Sequence, residues 1–103
     1  MEADDTRILP IIRKFKDKIA EAVFNGKCPK GFPADVFKTA RRKLQAVDAA
    51  TSLNDLRAPP NNRLEALKGD REGQYSIRIN DRWRVCFRWT PEGPIDVEII
   101  DYH

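Results

Sequence analysis

The sequence predicts one α+β domain in which two N-terminal helices pack on a small, largely antiparallel sheet. Three observations predict it: apolar residues recur at helical spacing before residue 50, the period drops to 2 after residue 62, and short turns join the strands so indicated. At 103 residues the chain is long enough to bury a core without metal or disulfide staples, and no repeat or Pro/Gly/Ser linker divides it.

The elements follow in chain order. Met1 to Arg7 shows no periodicity and reads as an arm or upstream extension. Ile8-Leu-Pro-Ile-Ile12 is apolar, but Pro10 cannot donate to a ladder, so a strand here starts after Pro10 or lies at an edge. Ile19, Ala20, Val23 and Phe24 share a helical face, predicting a helix over 17–24 that Asn25-Gly26 ends. After a Gly/Pro-rich loop, Phe37, Ala40, Leu44 and Val47 mark an amphipathic helix over 34–49, with Lys38, Arg41, Arg42 and Lys43 on its outer face. Residues 53–62 read as a connection, punctuated by Pro59-Pro60-Asn61-Asn62. Tyr75 to Ile79 and Trp83 to Trp89 alternate as a hairpin around Asn80-Asp81-Arg82, with one apolar and one cationic face. Ile95, Val97 and Ile99 extend the alternation into a third strand. By parity, if Val85, Phe87 and Ile99 face the helices, then Arg78, Arg84, Arg88, Glu98 and Tyr102 share the other face.

Charge and composition narrow the function. The net charge of +3 hides opposing blocks, for residues 7–43 carry eleven Lys/Arg against three Asp/Glu, while residues 1–6 and 89–103 hold acids and no base. A polyanionic partner such as nucleic acid fits that asymmetry; a solvated helical face is the plainer reading of 7–43. No stretch has the apolar length of a membrane span and the first residues are acidic, so the expectation is a soluble, cytoplasmic protein with no membrane partner. Cys28 and Cys86 lack metal-ligand spacing and read as reduced thiols. His103 is the single histidine, so no metal site and no Ser-His-Asp triad is expected.

Three local features combine: Arg63-Leu-Glu-Ala-Leu-Lys-Gly69 with Asp70-Arg-Glu-Gly73, the hairpin Ile77-Arg-Ile-Asn-Asp-Arg-Trp-Arg84, and Asp101-Tyr102-His103. In this order and spacing, from about Ile12 to His103, they resemble the HigB group of bacterial toxins in the RelE/ParE superfamily of toxin-antitoxin systems. The resemblance implies a RelE/ParE-like domain over 12–103 and leaves 1–11 as a flexible N-terminal extension. It implies a ribosome-dependent endoribonuclease that cuts mRNA in the A site without metal or other cofactor. Its partners would be the ribosome and mRNA, plus a helix-turn-helix (HigA-type) antitoxin through which alone it would meet operator DNA. Catalytic roles carry over to Lys68, Arg84, Asp101, Tyr102 and His103. Some members have histidine where this chain has Glu65, which makes Glu65 a departure and an acid-base candidate.

Cutting RNA without metal requires the 2′-hydroxyl to lose a proton, attack phosphorus and expel the 5′-oxygen. An imidazole titrates near the working pH, which suits His103; Glu65 serves only with a raised value. Tyr102 can stack on a base or bond the ribose hydroxyl, and Lys68 and Arg84 suit charge developing on phosphate. Lys38, Arg41, Arg42, Arg63, Arg71 and Arg78 are the candidate RNA- and ribosome-binding cations. Each has a plainer reading: a frayed terminal His103, a partly buried Tyr102, an ordinary Glu65–Lys68 surface pair, Arg84 and Arg88 pairing across strands with Glu98 or Asp96. Asp101 follows the parity of Ile99, so it is expected to point inward and position a neighbour. A non-catalytic inhibitor of a protein such as DNA gyrase and a basic RNA-binding module remain the competing functions.

Overall fold

A computed structural model of the chain describes Ile12 and residues 14–101. The expected extension over 1–11, the strand expected at 8–12 apart from Ile12, and the candidates Tyr102 and His103 lie outside the described residues. Ile12 itself is buried outside any strand, and its N–H donates to Asp48 Oδ1 at 2.8 Å.

Asp17 starts the first helix, α1 (Lys18–Phe24), by accepting the Ala20 N–H at 2.7 Å. The helix buries Ala20 and Val23 and stops at Asn25, followed by Gly26 at φ 89°. The second, α2 (Ala34–Ala49), has the bounds its periodicity predicts and buries Val36, Ala40, Leu44 and Val47. Phe37 is only partly buried, and Val36 is buried in its stead.

The cations of α2 do not form one outer face. Lys38 and Arg42 are exposed, whereas Arg41 turns toward α1 and donates from Nε to the Phe24 carbonyl at 3.3 Å. Lys43 leaves on another side and donates to Asn62 Oδ1 at 2.5 Å. The connection that carries Asn62 holds two 3₁₀ turns, Leu53–Arg57 and Pro60–Asn62.

Four antiparallel strands follow in spatial order: β1 (Glu65–Ala66), β2 (Gln74–Arg78), β3 (Trp83–Thr90) and β4 (Gly93–Asp101). The β2–β3 hairpin was legible, and the Asn80 side chain closes its turn by accepting from the N–H groups of Arg82 and Trp83, both at 2.8 Å. β1 is too short to show a period. Phe15 adds a parallel bridge to Val97, laying the chain before α1 against β4.

β4 departs from strict alternation. Between the pairs Cys86–Glu98 and Arg88–Ile95, Phe87 is opposed by two residues, and Asp96 there has φ 53°. One inserted residue reverses parity beyond it. Ile95 therefore joins the face of Arg88, while Val97 and Ile99 stay with Val85, so the expected three-residue apolar row holds for only two.

One face of the sheet carries Ile77, Val85, Phe87 and Val97, all fully buried against the helices. The other carries Ser76, Arg78, Arg84, Cys86, Arg88 and Glu98 in mutual register, as parity predicts. That second face is not simply cationic and solvated: Ser76 and Cys86 are fully buried, and Arg84 and Glu98 nearly so. Residues 63–73 reach over it.

Candidate active site

The polar face is closed by directed bonds. Arg84 donates from Nε to Ser76 Oγ at 2.8 Å and from Nη2 to the Arg63 carbonyl at 2.7 Å, and its guanidinium lies 3.7 Å from Glu65 Oε1. Arg63 offers that carbonyl because its backbone is left-handed, φ 46° and ψ 58°. A non-glycine residue held there costs about 1–2 kcal/mol, which the bond from Arg84 and that from the Arg63 N–H to the Pro60 carbonyl at 3.1 Å offset.

Further along, Arg71 donates from Nη1 to Gln74 Oε1 and to Glu98 Oε2, each at 2.9 Å, and Lys16 Nζ stands 3.6 Å from the same carboxylate. The bond to Glu98 pushes the Arg71 guanidinium above its ordinary value. The Cys86 thiol in this layer is pushed up to about 11, chiefly by burial. It is a thiol, not a thiolate, at neutral pH.

Toward the hairpin turn the polar face opens into a cleft of about 340 Å³ lined by Arg63, Glu65, Arg78, Asn80, Asp81 and Arg84. Each wall has a structural origin. Glu65 comes from β1, Arg78 from the end of β2, Asn80 and Asp81 from the turn, Arg84 from β3, and Arg63 from the left-handed residue after Pro60–Asn62. Arg78 pairs with the almost fully exposed Asp81, and Arg84 lies beside Glu65. Among the described residues Arg63 has no carboxylate in ion-pair range. It is the cleft cation most open to an incoming anion.

β4 ends beside this cleft, for Ile100 is the cross-strand partner of Arg84 and Asp101 that of Trp83. Asp101 has the parity of Ile99, as expected, but it is exposed. Both its oxygens accept from Arg82, at 2.9 Å from Nε and 2.8 Å from Nη2, and that guanidinium lies 5.5 Å from the Trp83 ring centroid. The two bonds raise the Arg82 guanidinium above its ordinary value.

Of the residues singled out from sequence, the fold thus brings Glu65, Arg84, Arg63 and Arg78 into one cleft. Lys68 is exposed at the start of the 3₁₀ turn Gly69–Arg71, outside the cleft lining, and makes no pair with Glu65. Arg71 is committed to Glu98, and Lys38, Arg41 and Arg42 sit on α2. Sequence reasoning missed Asn80 and Asp81 as cleft residues, Arg82 as the holder of Asp101, and Asn62 and Lys43 behind Arg63. Only the first three lay in a motif already noticed. Among the described residues no three His, Cys, Asp or Glu side chains gather so as to hold a metal ion, and no helix is long and apolar enough to cross a membrane.

Comparison with known proteins adds an independent line. A family described as the RelE-like toxin of the type II toxin-antitoxin system HigB matches residues 13–103. Toxin HigB-1 of Vibrio cholerae serotype O1 is 40% identical over 78 residues, which span 75% of this chain and 82% of that protein. Endoribonuclease HigB of Proteus vulgaris is 33% identical over 93 residues, 90% of this chain and the whole of that protein.

Proposed function

Because the chain belongs to the HigB-like family of RelE-like toxins of type II toxin-antitoxin systems, we propose that it is a metal-independent endoribonuclease that cuts translated mRNA in the ribosomal A site and so arrests translation and growth. Membership of that family implies an antitoxin as partner. In this reading the antitoxin is of the helix-turn-helix HigA type, and operator DNA is engaged only through the complex.

The observation that carries the reading is the cleft: Arg63, with no carboxylate in ion-pair range among the described residues, and a Glu65 carboxylate steadied by Arg84 stand beside the end of β4. The relative named an endoribonuclease, aligned over its full length, supports it. The scissile phosphate enters against Arg63, whose fork suits non-bridging oxygens. Charge building on the non-bridging oxygens as the 2′-oxygen attacks phosphorus is met by the Arg63 guanidinium at the cleft wall. The 2′-hydroxyl gives its proton to a base, and the 5′-oxygen leaves with a proton from an acid, forming a 2′,3′-cyclic phosphate and a 5′-hydroxyl. His103 takes one of these proton roles, with Glu65 or Tyr102 as its counterpart; Tyr102 can also stack on the base. Arg84 acts from behind, orienting Glu65 and the Arg63 backbone, and Lys68 contributes a cation beyond the cleft lining. Asp101, with both oxygens held by Arg82, fixes the strand end rather than moving protons.

The test adds purified protein to a translating ribosome system and maps mRNA ends by primer extension. Discrete cuts by the wild type that vanish with His103→Ala are expected. Cutting that survives removal of Tyr102 and His103 overturns the site, and intact mRNA with inhibited gyrase supercoiling overturns the activity. Glu65→His is expected to raise the rate.

A further inference from the structure

Lys43 occupies an unusual electrostatic position beside this cleft. Its ammonium is held by Asn62 Oδ1, and Asn62 is 1% exposed. The Asn62 amide in turn donates to the carbonyls of Leu56 and Ala58, both at 3.2 Å. A neutral amide fixes the position of the charge without neutralising it. No carboxylate lies in ion-pair range of Lys43 or its neighbour Arg42 among the described residues. Half-burial, followed by repulsion from Arg42 and from Arg78, holds the Lys43 amine below its ordinary value. The charge of Lys43 is therefore felt by a residue that lines the cleft, and Asn62 directly precedes Arg63 on the cleft wall.

We propose that Lys43, which Asn62 ties to the chain beside Arg63, and its neighbour Arg42 form a phosphate subsite that takes a phosphodiester of the RNA strand other than the scissile one. The proposal rests on the RNA-cutting function argued above and specifies where the strand runs beyond the cut. A bound phosphate supplies the negative charge that the cluster lacks and relieves the repulsion among its cations. Lys43 is suited to it as a point charge already immobilised on Asn62, so little side-chain freedom is lost on binding. Arg42, exposed on the next position of α2, supplies the adaptable second contact. Strand continuity favours RNA over an acidic protein segment here, because Lys43 is bonded to Asn62, the residue before Arg63 on the cleft wall, and Arg42 adjoins Lys43 on α2.

Fluorescence anisotropy with a single-stranded RNA oligonucleotide, 2′-O-methylated so that it cannot be cut, tests this across a salt series. Each phosphate contact contributes about 0.7 to the slope of log affinity against log salt for single strands. Lys43→Gln is expected to reduce the slope by about 0.7 and Arg42→Gln with Lys43→Gln by about 1.4, while Lys27→Gln, an exposed loop cation, leaves it unchanged. A wild type that binds no oligonucleotide, an unchanged slope in Lys43→Gln, or an equal loss in Lys27→Gln overturns the subsite. So does an acidic peptide that needs Lys43 when the RNA slope does not. A thermal midpoint lowered by Lys43→Gln at constant slope assigns a purely structural role and likewise overturns it. Failure of the parent reading is seen separately, as uncut mRNA in the ribosome assay with the oligonucleotide slopes still differing.

Discussion

The two faces of the sheet solve the same burial problem by different physics. On the helix side, Ile77, Val85, Phe87 and Val97 are held by non-directional contacts with α1 and α2, so many apolar shapes would serve there. On the other side, Arg84, Ser76, Glu98, Gln74 and Arg71 are held by bonds of defined direction, and among the described residues no buried side-chain donor or acceptor lacks a partner. The apolar face supplies stability in bulk; the polar face supplies position. The cleft proposed to orient a phosphodiester is built on the second.

The sharpest way to break the comparison is Phe87→Ala. The side chain is fully buried and touches the rings of Tyr75 and Trp89, with centroids 6.3 and 6.5 Å away. Its truncation is expected to lower the unfolding free energy by about 3–5 kcal/mol in urea titration, with cutting by the fraction still folded close to normal. Arg84→Ala comes next and inverts the pattern. It removes the donors to Ser76 Oγ and the Arg63 carbonyl, for about 1–3 kcal/mol. Cutting should then fall more than tenfold, even where circular dichroism shows the protein folded. Similar activity in the two variants would show that the faces do not divide labour as described.

How much of this could be read beforehand follows from the same contrast. The helices and the β2–β3 hairpin were legible because burial repeats along the chain: Ala40, Leu44 and Val47 lie on one turn-spaced stripe, and Asn80 sits where a turn needs its side chain. Four of the candidate residues, Glu65, Arg84, Arg63 and Arg78, do meet. What periodicity does not encode is direction between distant segments. Arg71 and Glu98 are 27 positions apart, Lys43 reads as a solvent-face cation until Asn62 comes within reach, and Asn62 reads as turn punctuation rather than as the buried clamp it is. The Asp96 bulge also escapes, because it depends on a non-glycine residue adopting positive φ, a local choice with no repeating signature.

A smaller effect separates position from stability at the edge of the cleft. Arg82 is more than half exposed, and its pair with Asp101 lies in high dielectric, so Arg82→Ala is expected to change unfolding free energy by less than about 1 kcal/mol. The cleavage rate should nevertheless drop several-fold while substrate affinity holds, because the end of β4 loses the anchor on Asp101. Arg82→Lys, which keeps one bond of the fork, should recover part of the rate. A loss of stability matching the loss of rate would make Arg82 an ordinary strut.

The smallest expected effect lies at the seam between the faces, where Asp17 caps α1 but sits within the field of Glu98. Burial raises the Asp17 carboxyl above its ordinary value, with Glu98 adding to the rise and the bond from Ala20 opposing it. An acid whose folded value exceeds its unfolded one keeps its proton longer in the native state. Stability is therefore highest below the ordinary aspartate value and declines as pH rises through the raised one, leaving a standing cost at neutral pH. Asn caps a helix about as well as Asp, so Asp17→Asn removes that cost and keeps the bond to Ala20. The variant should be more stable than wild type at pH 7 by less than about 1 kcal/mol, given the partial exposure of the site. The gain should vanish as the pH falls below the ordinary aspartate value, in paired urea titrations at pH 7 and pH 3. A gain that persists in acid would place its origin in the amide cap, not in relief of the buried charge.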